Sequence, residues 1–131
     1  MKNIVGKIKE FSCLFFLKGV TDEEINFAEC KLNLKFSNEY KQYLREFGVA
    51  SFEGHEWTGI CKSDRLNVVQ VTKEEISRKQ IIPKGLYVIE QTHIDDIVIW
   101  QNEQGEVFQS SFNEIPRKIA DSLLEYIELD I

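Results

Sequence analysis

The sequence predicts an α+β domain in which a central, largely antiparallel sheet carries helices from the first part of the chain and one helix from its end. Three observations support this. Residues 1–48 place apolar side chains at helical spacing between capping residues, and residues 53–109 group β-branched and aromatic residues between turn formers. Residues 119–127 then return to helical spacing.

Each element has its own signal. Ile4, Ile8, Phe11 and Phe15 recur as on one helix face, predicting a first helix over 3–17 with Gly19 just beyond it. Thr21 with Glu24 three residues later forms a capping box, flanked by Val20 and Ile25 at the staple positions, so 22–32 is the second helix. Ser37 caps a third, with Tyr40, Tyr43, Leu44 and Phe47 as its buried side and Gly48 as a left-handed stop. Strands are expected over 53–60, 67–71, 86–91, 96–101 and 106–109, the last two joined by a hairpin through Gly105. Thr72 and Glu75 suggest a short capped helix over 73–79. Ile119, Leu123, Tyr126 and Ile127 define the closing helix, with Pro116 suited to its first turn. That helix would carry Arg117 and Lys118 at its start and Glu125, Glu128 and Asp130 at its end. Such an order opposes the helix dipole at about 0.3–1 kcal/mol per charge.

Composition narrows the function classes. A chain of 131 residues suits a single domain over 1–131, because chains of this size bury about two thirds of their unfolded surface. The apolar run CLFFL at 13–17 is far shorter than the roughly 20 residues of a membrane span. Lys2, Lys7 and Lys9 ahead of it faintly resemble a secretory leader, but no small-residue cleavage pattern follows. Cys13, Cys30 and Cys61 are odd in number and without metal spacing, which reads as reduced, mostly packed thiols of a cytoplasmic protein. Charge is uneven: residues 85–131 hold ten acids against Arg117 and Lys118, a local balance of −8. This disfavours direct nucleic-acid binding and suits either a cationic partner or a solvated face.

Catalytic patterns are weak. In a strand, His55 and Glu56 point to opposite faces and cannot act as an acid/base pair. His93, Asp95 and Asp96 form a short polar loop without the further ligands that a metal centre needs. No phosphate-loop, nucleophile-elbow or zinc-protease motif occurs, so neither an enzyme, a metal nor a cofactor is expected. Trp57 and Trp100 lie on candidate strands bordered by carboxylates, consistent with core positions or with interface anchors.

The run GVTDEEINFAECKLNLKFSNEYKQYLREFG, then FEGHEWTGI, NVVQVTKEE, IPKGLYVIE, the GEVF hairpin and KIADSLLEYI, resembles the SUKH superfamily over nearly the whole chain from Gly19 onward. Its most specific pieces are EYKQYLREFG, WTGI with Gly59, and NVVQVTKEE. Ser37 stands where that family usually has proline, and a single Gly48 where Asn-Gly is common. Relatives include a yeast cell-wall assembly regulator and many bacterial immunity proteins. The resemblance implies a SUKH-like fold, with the N-terminal helices and the C-terminal helix packed on the sheet, and binding rather than catalysis. One expectation is a cytoplasmic immunity protein, a monomer or weak dimer, that neutralises a cognate polymorphic toxin, for example a basic nuclease domain. Its candidate toxin-binding residues are Glu53, Glu56, Trp57, Asp95, Asp96 and Trp100. The alternative is a non-catalytic regulatory or scaffold module of the cell-wall regulator type.

Overall fold

The computed structural model describes residues 3–79 and 81–129. In chain order they form α1 (Ile4–Lys9), β1 (Phe15–Phe16), α2 (Asp22–Leu32), α3 (Asn38–Phe47), β2 (Ala50–Phe52), β3 (His55–Trp57) and α4 (Val68–Arg78). These are followed by β4 (Tyr87–Gln91), β5 (Val98–Gln101), β6 (Val107–Ser110), β7 (Arg117–Ala120) and α5 (Leu123–Leu129). The seven strands make one antiparallel sheet in sequence order, as the α+β expectation requires.

Helices cover both faces. Tyr40, Tyr43, Leu44 and Phe47 of α3, Ile4 and Ile8 of α1, and Leu123 and Ile127 of α5 form the main core with Tyr87, Ile89, Ile99 and Val107. Val71 of α4 joins a smaller core on the opposite face with Val88, Val98 and Trp100. The alternation of Tyr87 and Val88 between these cores follows the pleat. A bulge then sets Ile89 and Glu90 together against Ile99, so both side chains reach the main-core side.

Local chemistry explains the elements that agree with expectation. The capping box of α2 is complete: Glu24 N–H donates to Thr21 Oγ1 at 3.2 Å and Thr21 N–H to Glu24 Oε1 at 3.0 Å. Tyr40 N–H donates to Ser37 Oγ at 3.0 Å and so closes the start of α3.

Several elements differ from the sequence reading. The stretch NVVQV is helix rather than strand. Asn67 Oδ1 accepts from Val69 N–H at 3.0 Å, and Val68, Val71, Thr72 and Glu75 form a buried stripe against the sheet. Thr72 therefore lies inside the helix, where its Oγ1 accepts from Val88 N–H at 3.0 Å, and caps nothing. The first helix stops at Lys9, and Phe15 and Phe16 pair with β2 instead of continuing it. Of the strand expected over 53–60, Glu53 and Gly54 form a turn and only His55–Trp57 is strand, the second arm of a hairpin with β2.

Arg117 and Lys118 belong to β7, not to the last helix, so they do not oppose its dipole. The start of α5 is instead capped from α3, where Glu39 accepts from Leu123 N–H at 2.7 Å and Leu124 N–H at 3.0 Å. Asp130, the last acid assigned to that helix, lies outside the described residues. Cys13 and Cys30 are exposed rather than packed, and burial raises the thiol pKa of the half-buried Cys61.

Gly48 ends α3 in a different way from the left-handed cap expected. Its φ of 72° and ψ of −60°, with Val49 N–H donating to Phe47 O at 2.8 Å, define a tight γ-turn of the positive-φ kind. A Cβ at Gly59 would stand 1.6 Å from Gly48 O, so the two backbones touch where β3 leaves the sheet.

Candidate functional site

The strand register gathers three turns at one end of the sheet. Trp57 pairs with Glu90 antiparallel, which places the β2–β3 turn at Glu53 and Gly54 beside the end of β4. The β4–β5 turn over 92–97 and the β6–β7 turn over 111–116 project from that same end. Five of the six described non-glycine residues with positive φ lie in these turns: Glu53, His93, Asp95, Asp96 and Asn113. Such conformations are uncommon for residues with a Cβ and are tolerated best by Asn and Asp. Bonds within the β4–β5 turn hold its shape: Ile97 N–H donates to Ile94 O at 2.9 Å, and Ile94 N–H to Thr92 Oγ1 at 3.2 Å.

The four candidate acids come together here, in two states. Glu56 is held by a bidentate Arg65 at 2.6 and 2.9 Å. The hydrogen bonds from Arg65 are the main reason its carboxyl pKa lies below the usual range. Asp96 accepts from Lys79 Nζ at 3.0 Å, with Arg78 at 3.5 Å. Lys79 is itself buried and also lies 3.0 Å from Glu75, whose other oxygen accepts from Gln91 Nε2 at 2.6 Å. Glu53 and Asp95 are exposed and make no ion pair among the described residues. Ile94, Phe112 and Ile115 add exposed apolar surface to the same turns.

The acids of the last third do not share one face. Asp95, Asp96 and Glu114 occupy this end, whereas Glu103 and Glu106 lie in the β5–β6 turn at the opposite end, with Asp121 following β7 there. Lys118 bridges Glu106 at 3.0 Å and Asp121 at 2.5 Å, which offsets part of that charge.

The structure places Trp57 and Trp100 in the interior, where neither ring is available to a partner. Trp57 packs edge-on against Tyr43 and Phe52, and its Nε1–H donates to Glu90 Oε1 at 3.2 Å. Trp100 Nε1–H donates to Ser110 Oγ at 2.9 Å. The carboxylates beside them in sequence gave the wrong signal, because adjacent strand residues face opposite ways.

His55 does have an acidic partner, although not Glu56. Its Nδ1 lies 2.9 and 3.1 Å from the two Glu90 oxygens, and Tyr126 O–H donates to Glu90 Oε1 at 2.9 Å. Glu90 thus joins His55, Trp57 and Tyr126 beneath the hairpin, with both members of the His–Glu pair buried. The pairing spans 35 residues and depends on the bulge in β4, for which no sequence pattern exists. It fixes the hairpin from which Glu53 and Glu56 project.

A family model of the SUKH superfamily, described as SMI1-KNR4 cell-wall, matches residues 1–129. The chain therefore belongs to the SUKH superfamily. No curated protein matches it significantly.

Proposed function

We propose that this SUKH protein is a non-catalytic immunity protein, a cytoplasmic monomer or weak dimer that binds a cognate polymorphic toxin and blocks it. Membership of the superfamily supports the general class. The observation that supports the finer reading is the gathering of Glu53, Glu56, Asp95 and Asp96 at one end of the sheet, on the β2–β3 hairpin and the β4–β5 turn, with exposed apolar residues on the β4–β5 and β6–β7 turns beside them. Charge around an apolar patch suits protein recognition, and carboxylates without ion pairs accelerate encounter with a basic domain of nuclease type. The half-exposed Glu56–Arg65 pair can be exchanged at little loss, since such pairs contribute about 0–1 kcal/mol. A partner arginine or lysine could therefore take over Glu56.

The test is a pull-down from lysate of the source organism, washed at low and at high salt, followed by association kinetics on the recovered partner. One basic toxin domain released by salt is the expected result, and Glu53→Lys with Asp95→Lys should slow its association about tenfold or more. Kinetics unchanged by that double reversal would remove this end of the sheet from the interface.

The description of the matching family as cell-wall favours a second reading, a regulatory or scaffold module. Recovery of envelope or signalling proteins in the same experiment, with no toxin gene adjoining this one, would select it.

A further inference from the structure

A second surface lies away from the turns. α2 and α4 leave a groove of about 770 Å³ between them, which meets a further hollow of about 530 Å³ at Thr21, Glu24 and Ile60. Ala28, Val69, Ile60, Leu66 and Leu17 give the trough an apolar lining, and Phe27 stands on its lip with 65% of its surface exposed. A phenylalanine this exposed in mid-helix, facing a concavity, does not contribute to the core.

Charge along the trough is patterned. Lys31, in the last turn of α2, and Lys73 on α4 make one end positive. Glu23 and Glu24, in the first turn of α2, make the middle negative, and Lys18 with Lys62 makes the other end positive. Of these, Glu23, Lys18, Lys31, Lys62 and Lys73 make no ion pair among the described residues. The shape also matters. Thr21, Glu24, Phe27 or Ala28, and Lys31 recur at steps of three or four residues, a ridge of about 15 Å at the helical rise per residue. Ridges of this kind receive the matching grooves of another helix, and two helices with a hollow between them form a cradle for a third.

We propose that this trough is a docking site for an amphipathic helix of a partner protein, one with an apolar seam, acidic residues toward both ends and a basic residue between them. The acids meet Lys31 and Lys73 at one end and Lys18 and Lys62 at the other. The central base meets Glu23 and Glu24, and the seam covers Phe27 and Val69. The site is independent of the sheet end proposed above and shares no residue with it.

The experiment is selection of phage-displayed random peptides of about 15 residues, long enough to form a helix on binding, on the intact protein. Enriched peptides are then synthesised and their affinities measured on variants. The expected result is a shared apolar seam with the acid–base–acid order, binding weakened about tenfold or more by Phe27→Glu, and a smaller loss with Lys31→Glu and Lys73→Glu together. Glu53→Lys with Asp95→Lys should leave peptide affinity unchanged, which separates this site from the toxin-binding reading. Three results would overturn the proposal: no enrichment above background, enriched peptides whose binding survives Phe27→Glu, or peptides lost with the sheet-end variant instead. Phe27, Lys31 and Lys73 are all exposed, so these substitutions leave the core intact.

Discussion

The Glu90 carboxylate lies 2.9 Å from His55 Nδ1 and accepts from two further buried donors, Trp57 Nε1–H and Tyr126 O–H. One side chain thus joins β3, β4 and α5. Glu90→Ala removes the acceptor that these groups share, and losing a buried hydrogen bond of this kind costs about 1–3 kcal/mol, less than additively when several converge on one site. A loss of about 2–5 kcal/mol is expected, read as a lower urea midpoint. Glu90→Gln keeps one oxygen but presents an amide where donors converge, so its loss should be smaller. An unchanged midpoint for Glu90→Ala would show that the network does not hold the hairpin.

Glu39 predicts a pH dependence. Burial raises its pKa, while the N–H groups of Leu123 and Leu124 pull the other way to a lesser extent. With the folded value above the unfolded one, the contribution is fully present below the unfolded carboxyl range near pH 4.5 and is lost as pH rises through the folded value. Glu39→Gln does not titrate. Relative to wild type, it should therefore gain stability between pH 4 and pH 7, whatever its fixed difference from the loss of one acceptor oxygen. Urea unfolding at both pH values measures this, and a gap that moves toward wild type would contradict it.

What was legible in the sequence follows from how far apart the determining residues lie. The Thr21–Glu24 box, the Ser37 cap and the apolar side of α3 are local, and each could be read before any tertiary contact was known. The β-branched run at 68–71 suggested a strand, yet one cap residue, Asn67, and a buried stripe of period 3.6 make it α4, where packing outweighs propensity. Glu39 caps a helix that begins 84 residues later, and Glu90 meets His55 only through a bulge. The gathering of Glu53, Asp95 and Asp96 needs only consecutive antiparallel strands, whose turns share an end. The pairing of Asp96 with Lys79, and of Glu56 with Arg65, required the placement of α4 and of the loop before it.

Two glycines separate steric from conformational demands. A Cβ at Gly59 would stand 1.6 Å from a backbone oxygen, and a backbone cannot yield as a side chain can. Gly59→Ala should lower stability by about 3 kcal/mol or more, or prevent folding. Gly54 has a φ of 82° but open space around it, so Gly54→Ala carries only the conformational penalty of about 1–2 kcal/mol. Comparison of their urea midpoints decides; a Gly59→Ala protein as stable as Gly54→Ala would contradict the contact.

The edges of the sheet are protected unequally. β7 carries the exposed Arg117 and Lys118, charges that discourage a second sheet from pairing there. β1 carries Phe15, 66% exposed, and Phe16, and Leu17 beyond it is exposed as well. An uncharged aromatic edge is a template for edge-to-edge association. Phe16 is anchored by its edge-on contact with the Phe47 ring, with centroids 5.3 Å apart, so Phe15 is the residue to change. Phe15→Lys should raise the concentration at which light scattering reports association and leave the urea midpoint within about 0.5 kcal/mol of wild type. Phe15 stacks on no ring of the core, and its exposure leaves little burial to lose. If scattering is the same for both proteins, β1 is not the associating edge, and Phe112 and Ile115 in the β6–β7 turn become the next surface to charge.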